Sequence, residues 1–249
     1  MGVQVALNDR YTKSSFWIAA DRCTMMCWFY GLSLATAQFD YDSILSCGAL
    51  SGSVGFSWRI GGTAGAVAEW TLSTSSADTQ ATTPLPVVNR WYHLAVTRSG
   101  NTKIGYVDGR AIVMASSAIT MGTTLGLGDS GGGSDAADAY LSGVKIWRTA
   151  LSERDIRDEM RQHAPVRTGG IAGVYRFLRA AGGTQDLSGR GQTLTAAGSP
   201  VTAPDPPGIP WIWKSRARVF VADVVSPDTG EWLFQQSRVS GPRIHQIGY

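Results

Sequence analysis

Residues 91–160 constrain the fold of this 249-residue chain more than any other stretch. In residues 91–97 apolar side chains occupy both alternating positions, which is typical of a strand covered on both faces. Residues 104–107 alternate in the same way and are followed by Asp108-Gly109. That dipeptide favours a two-residue hairpin turn, because both turn positions need a positive φ. The stretch therefore predicts antiparallel strands joined by tight turns.

The same stretch ends in signals for a short helix. Ser152 suits an N-cap, and Asp155 stands three residues later, where the acid of a capping box belongs. Leu151 is placed to pack onto Ile156, and Met160 follows Ile156 one turn later on the same face. The predicted order is strand, turn, strand, turn, strand, glycine-rich loop, strand and helix.

This order of motifs resembles the laminin-G-like, concanavalin A-like jelly-roll family. The matching positions are Trp91-Tyr92-His93-Leu94-Ala95, Tyr106-Val107-Asp108-Gly109, Leu127-Gly128, Gly143-Val144-Lys145-Ile146-Trp147 and Leu151-Ser152. The resemblance implies an all-β, two-sheet antiparallel jelly-roll sandwich with one short helix. It implies no single function, since the fold carries lectins, adhesion modules, hydrolases and virion proteins.

The rest of the chain fits a sandwich followed by an arm. Residues 25–30 are apolar on both faces and predict a central strand, whereas residues 73–83 are small and polar. Further strands are expected in residues 44–47, 54–60, 69–72, 173–178 and 193–195. Five prolines between Pro200 and Pro210 indicate a stiff linker. We therefore expect a laminin-G-like domain in residues 1–203 and a proline-rich linker with a C-terminal arm or hairpin in residues 204–249.

Composition limits which cellular compartment and which binding partners are expected. The net charge is +3 with both signs mixed along the chain, so neither nucleic acid nor a membrane is expected as a partner. The amino terminus has no signal-peptide pattern, which predicts synthesis in the host cytoplasm. Cys23 and Cys27 lie too far apart on one strand to bridge, and with Cys47 they are expected to be free, buried and without zinc.

Candidate sites are few. Asp129, Asp135 and Asp138 on a glycine-rich loop could supply oxygens to Ca²⁺, as some relatives of the fold do, but a solvated loop has the same composition. No other cofactor is expected. Among the tryptophans, Trp17, Trp28, Trp58, Trp91 and Trp147 are expected in the core; Trp70 is undetermined, and no sugar-binding residue can be named.

No catalytic residue is predicted, so the chain is not expected to be an enzyme. The acids from Glu153 to Glu159 imitate a glucanase signature, but on a helix their side chains would diverge. His93 is expected to be packed in the fold, and His163 to lie at the helix end, where the helix dipole favours a cation.

The favoured hypothesis is a non-catalytic structural or accessory protein of a larger assembly, a homo-oligomeric bacteriophage virion protein such as a capsid decoration or tail-associated subunit. The aromatic residues of the arm are its expected partner contacts: Trp211, Trp213, Trp232 and Phe234. The alternative is a carbohydrate-binding or adhesion module, with or without calcium. A glycoside hydrolase is the third hypothesis.

Overall fold

The computed structural model describes residues 2–6, 9–16, 21–35, 41–48, 55–61, 68–74, 77–81, 83–120, 122–129, 136–177 and 185–209. These residues form fifteen strands and one helix. The elements are β1 (Gly2–Val5), β2 (Arg10–Lys13), β3 (Arg22–Gly31), β4 (Tyr41–Cys47), β5 (Phe56–Gly61), β6 (Trp70–Thr74), β7 (Ala77–Ala81), β8 (Trp91–Ser99), β9 (Thr102–Val107), β10 (Arg110–Ser116), β11 (Leu125–Leu127), β12 (Ala139–Trp147), α1 (Glu153–Met160), β13 (Ile171–Tyr175), β14 (Thr195–Ala197) and β15 (Val201–Ala203).

Two antiparallel sheets make a sandwich, which confirms the predicted fold class. In the described residues the large sheet has eight strands in the order β10-β9-β8-β3-β12-β1-β15, with β13 also paired to β12. The small sheet has seven strands in the order β14-β2-β11-β4-β5-β6-β7. Alternate residues of both sheets point inward and form one continuous apolar core.

Large aromatic rings fill the centre of that core. Trp58 and Trp70 stack with ring centroids 6.2 Å apart, and Trp70 meets Tyr92 edge to face at 5.1 Å. Gly105 on the facing sheet accommodates the Trp58 ring, since a Cβ at Gly105 would overlap it. The core position expected for Trp58 is confirmed, and Trp70, which the sequence left undetermined, is fully buried.

The hairpin and the helix signals are confirmed. Asp108 and Gly109 have φ values of 49° and 74°, and the Asp108 carboxylate accepts the backbone N–H of His93 at 2.9 Å. Ser152 caps α1 in a complete capping box with Asp155. The three cysteines are free and buried, as predicted, and burial raises the pKa of Cys47 to about 12.

Helix α1 lies on the outer face of the large sheet, which is the face turned away from the core. Its Ile156 joins a second buried apolar cluster that includes Met26, Ala95 and Trp147. Beside this cluster the Lys145 ammonium donates to a Glu159 carboxylate oxygen at 2.7 Å, and both side chains are buried. Burial lowers the pKa of Lys145, and the neighbouring carboxylate opposes that shift. A buried ion pair thus fixes the helix to the sheet.

Four strands were not predicted: β1, β2, β7 and β15. Strands β7 and β15 are sheet edges, where short, polar or proline-flanked segments are tolerated because only one side needs a hydrogen-bonded neighbour. Strand β15 forms inside the proline-rich stretch and pairs with β1. The described residues contain no helix with the length and hydropathy that crossing a bilayer requires. Residues 210–249 lie outside the described residues, and with them the four arm residues predicted as partner contacts.

Candidate functional site

A row of three aromatic side chains crosses the outer face of the large sheet. Tyr140 on β12 lies opposite Tyr30 on β3, which lies opposite Trp91 on β8. The ring centroid of Tyr30 lies 5.3 Å from that of Tyr140, on which the ring stacks, and 5.4 Å from that of Trp91. All three side chains are only half-buried. We call Tyr30, Trp91 and Tyr140 the outer aromatic cluster.

The strands place these rings on one surface because their sequence neighbours point inward. Phe29, Tyr92 and Leu141 each adjoin a cluster residue along the chain and lie in the apolar core. Since successive side chains of a strand alternate between faces, the cluster residues must face outward. Helix α1 covers only part of this face, so the three rings remain accessible.

An exposed apolar loop extends this surface. Leu85, Val87 and Val88 are exposed large hydrophobic residues just before β8. The backbone N–H of Asn89 donates to the Gly31 carbonyl at 2.9 Å and so fixes the loop at the end of β3. On the other side of the cluster, Gln4 of β1 lies opposite Tyr140 and offers an amide. The surface therefore combines aromatic rings with an apolar flank and a polar group.

The next row of the outer face leads from the cluster toward the helix. Ser142, Trp28 and His93 lie opposite one another, and the rings of Trp28 and His93 meet edge to face at 5.2 Å. The Ser142 hydroxyl donates to the Asp205 carboxylate at 2.6 Å. His163 packs over Gly143 on the same face. Trp28 is half-buried, whereas His93 and His163 are buried.

Both histidines are less basic than an ordinary imidazole. Burial, together with the charges of Lys145 and His163, lowers the pKa of His93 well below its usual range. Burial also lowers the pKa of His163 to about 4. The packed position expected for His93 is confirmed. The interpretation of His163 as a cation at the helix end is wrong, because α1 ends at Met160 and the buried imidazole disfavours a charge.

The outer face of the small sheet is polar, but its serine side chains are buried. One row holds Ser46, Ser57, Ser73 and Asp78, and the serines of this row are buried. The Tyr41 hydroxyl donates to Asp78 at 2.8 Å. Buried hydroxyls offer a ligand less access than half-buried rings, so the outer aromatic cluster is the stronger candidate site.

The predicted calcium ligands are only partly described. A carboxylate oxygen of Asp129 lies 3.6 Å from the Arg10 guanidinium, and the side chain is buried. The Asp138 carbonyl accepts the Leu32 N–H at 2.9 Å, and Asp135 lies outside the described residues. Within the described ranges, no three or more histidine, cysteine or acidic side chains group in a way that could hold a metal. The calcium site stays a prediction.

The acidic residues of α1 do not converge on one point. Glu153 pairs with Arg157 at 2.7 Å, Glu159 pairs with Lys145, and Asp155 binds Arg167 at 2.6 Å. The hydrogen bond from Ser152 is the main cause that lowers the pKa of Asp155. The helical interpretation of this segment is confirmed, and its carboxylates serve capping and ion pairing.

Trp28 and Trp91 were expected in the core, and this expectation is wrong. Their strands are apolar on both faces, as predicted, but the helix shields the outer face only over the rows next to Lys145. The one available signal was the run Trp28-Phe29-Tyr30, in which aromatic residues occupy both faces of β3. Trp147 is buried under the helix, as predicted, and Trp17 lies outside the described residues.

A two-sheet sandwich with a helix on one outer face is the architecture of the lectin-like jelly rolls. A family model described as Laminin_G_3, concanavalin A-like lectin/glucanases superfamily, matches residues 4–157. The chain therefore belongs to this superfamily. No curated protein sequence matches the chain significantly.

Solved structures with the same fold belong to diverse proteins. A putative carbohydrate binding protein from Bacteroides ovatus is 19% identical with a TM-score of 0.63, and the match covers 85% of this chain and 61% of that protein. A heptameric SAP-like pentraxin from Limulus polyphemus is 13% identical with a TM-score of 0.51, and the match covers 79% of this chain and 94% of that protein. The enzymatically active domain of bacteriophage CBA120 tailspike protein 2 is 14% identical with a TM-score of 0.52, and the match covers 70% of this chain and 29% of that protein. At these identities the likeness concerns the fold alone.

Proposed function

We propose that this chain is a non-catalytic accessory protein of a larger assembly, a bacteriophage virion protein, whose sandwich domain binds glycans through the outer aromatic cluster. The observation that carries the glycan part is the half-buried triad of Tyr30, Trp91 and Tyr140. An aromatic face is electron-rich, and it attracts the weakly positive C–H groups on the apolar face of a sugar ring. Gln4 can add hydrogen bonds to sugar hydroxyls.

The acidic residues beside the cluster support a non-catalytic role. Hydrolysis of a glycosidic bond uses two carboxyl groups on opposite sides of the bond, one of them with a raised pKa. Asp108 accepts the His93 backbone N–H and lies 3.3 Å from Arg90, while Asp205 accepts the Ser142 hydroxyl. Both carboxylates therefore serve as hydrogen-bond acceptors that hold the fold together.

Removing an aromatic ring is expected to weaken glycan binding at least tenfold, which corresponds to about 1.4 kcal/mol. Trp91→Ala and Tyr140→Ala are the test variants, compared with the wild type on a glycan array and then by calorimetry. Met114→Ala is the matched control, because Met114 is 65% exposed on the edge strand β10 and should leave binding unchanged. Binding that survives both aromatic replacements in folded protein would contradict the proposal.

The same array separates the remaining hypotheses. Repeating it with EDTA tests the calcium dependence predicted from Asp129, Asp135 and Asp138. Release of sugar fragments from a bound glycan, abolished by Glu153→Gln, would revive the hydrolase hypothesis. Detection of the chain by mass spectrometry in purified phage particles tests the virion location.

The assembly part of the proposal assigns the arm to subunit contacts. We expect the full-length chain to form a defined oligomer by light scattering at several concentrations, and a chain ending at Ile209 to be a folded monomer. Ending at Ile209 keeps β15 and the Ser142–Asp205 hydrogen bond. Trp211, Trp213, Trp232 and Phe234 are the proposed anchors, and a truncated chain with the full-length oligomeric state would exclude them.

A further inference from the structure

A group of buried ionisable side chains separates helix α1 from the outer aromatic cluster. Three successive rows of the large sheet define it. The first holds Tyr140, Tyr30 and Trp91; the second holds Ser142, Trp28 and His93; the third begins with Lys145, which lies opposite Met26. Between the second and third rows β12 bulges at Gly143, and His163 covers the bulge.

His163 and Trp28 both pack closely around Gly143, at the bulge of β12. A Cβ atom added to Gly143 would lie 2.5 Å from Nδ1 of His163 and 3.5 Å from Cδ1 of Trp28. Gly143 also has a φ of 58°, a conformation that suits glycine. The indole of Trp28 contacts His93 on its other side. Trp28 therefore lies between the two histidines, in the row next to the outer aromatic cluster.

The histidines face charged groups of both signs, and the Asp108 carboxylate accepts the backbone N–H of His93. Burial lowers the pKa of both imidazoles, and the charge of Lys145, which pairs with Glu159, lowers it further. The charge of Asp205 raises the pKa of His163, and that of Arg176 lowers it. The net effect, dominated by burial, keeps both imidazoles neutral at pH 7.

The sign of the pH effect follows from this arrangement. A conformation in which His163 reaches water takes up its proton near pH 6.5, whereas the packed conformation takes it up near pH 4. Protons therefore favour the open conformation as the pH falls through this interval. For His163 alone, the equilibrium constant for opening rises as the pH falls from 7.5 to 4.5. His93 acts in the same direction.

We propose that His93 and His163 make the outer aromatic cluster acid-sensitive, so that mild acid loosens Trp28 and the adjacent rings and releases a bound glycan. This regulation rests on the proposed glycan function for its ligand, although the conformational change itself does not. Above pH 7 the second row is packed and the outer aromatic cluster is competent to bind. Near pH 4.5 the second row opens while the aromatic core between the sheets stays packed.

The test uses full-length protein labelled with 5-fluorotryptophan and observed by ¹⁹F NMR between pH 7.5 and pH 4.5. Trp28→Phe and Trp91→Phe variants assign the two surface signals, and Trp58→Phe and Trp70→Phe variants assign core signals. We expect the Trp28 and Trp91 signals to shift or broaden on acidification while the Trp58 and Trp70 signals remain unchanged. No change at any of the four, or a common change at one midpoint, would overturn the proposal.

Two further measurements keep the proposal separate from general acid unfolding and from the glycan function. His163→Gln and His93→Gln are each expected to reduce the surface change; an unaltered profile in both would refute the role of the histidines. On the glycan array, binding should fall at least tenfold at pH 4.5. Retained binding would refute acid release, whereas absence of binding at pH 7.5 with an intact NMR response would refute only the glycan function.

Discussion

Glu159→Gln is expected to lower the free energy of unfolding by about 3–5 kcal/mol, because it leaves the Lys145 ammonium buried without its anion. Glu159 is fully buried, and one of its carboxylate oxygens accepts from Lys145 while the other accepts the Arg167 N–H at 2.7 Å. Glutamine can still accept from the Arg167 N–H. Two carbonyls, those of Glu159 and Gln162, also accept from Lys145, and they cannot neutralise it.

The matched control is Glu153→Gln on the same helix. Glu153 makes an ion pair of the same length with Arg157, but the two side chains are 41% and 46% exposed, so the loss should stay below about 1 kcal/mol. Urea unfolding of both variants at pH 7.5 measures the difference. Similar losses in the two variants would show that the buried pair does not hold α1 on the sheet.

Trp70→Ala is expected to lower the free energy of unfolding by about 3–5 kcal/mol, the range for truncating a buried tryptophan. Its ring stacks on Trp58 and meets Phe29 and Tyr92 edge to face, so the cavity would open between the sheets. Neighbours that are themselves large and rigid cannot collapse to fill it. Thermal and urea unfolding measure the loss.

The contrast with Trp91→Ala makes this prediction specific. Trp91 is half-buried on the outer face, where water can replace the lost ring, so a smaller loss of stability is expected. Trp70→Ala should weaken the fold and spare glycan binding at temperatures where the protein stays folded, and Trp91→Ala should do the reverse. An equal loss of stability in both variants would contradict the assignment of inner and outer faces.

Local signals made part of the fold predictable. The Asp108-Gly109 turn and the Ser152 capping box each depend on residues within a few positions of one another, and both are found as expected. Asp186 behaves in the same way: its carboxylate accepts the backbone N–H groups of Ser188 and Gln192 and so closes a local turn. Such elements need no knowledge of which strands pair.

The candidate site could not be predicted for the opposite reason. Tyr30, Trp91 and Tyr140 come from three strands, and their meeting depends on a register that a single sequence does not reveal. Whether an outward-facing ring is covered depends on where a helix elsewhere in the chain is anchored. His163 illustrates the same limit, since its burial results from packing over Gly143 on another element.

The position of β1 has a consequence for the way the domain is made. Gln4 pairs with Tyr140 on one side and Val201 on the other, so the first strand needs partners that are synthesised about 140 and about 200 residues later. Contacts so distant in sequence make folding slow, and a nascent chain carries unpaired strand edges until β12 has left the ribosome. Yield on expression should therefore depend on protecting the early strands from aggregation, and slower synthesis at low temperature should favour the folded protein.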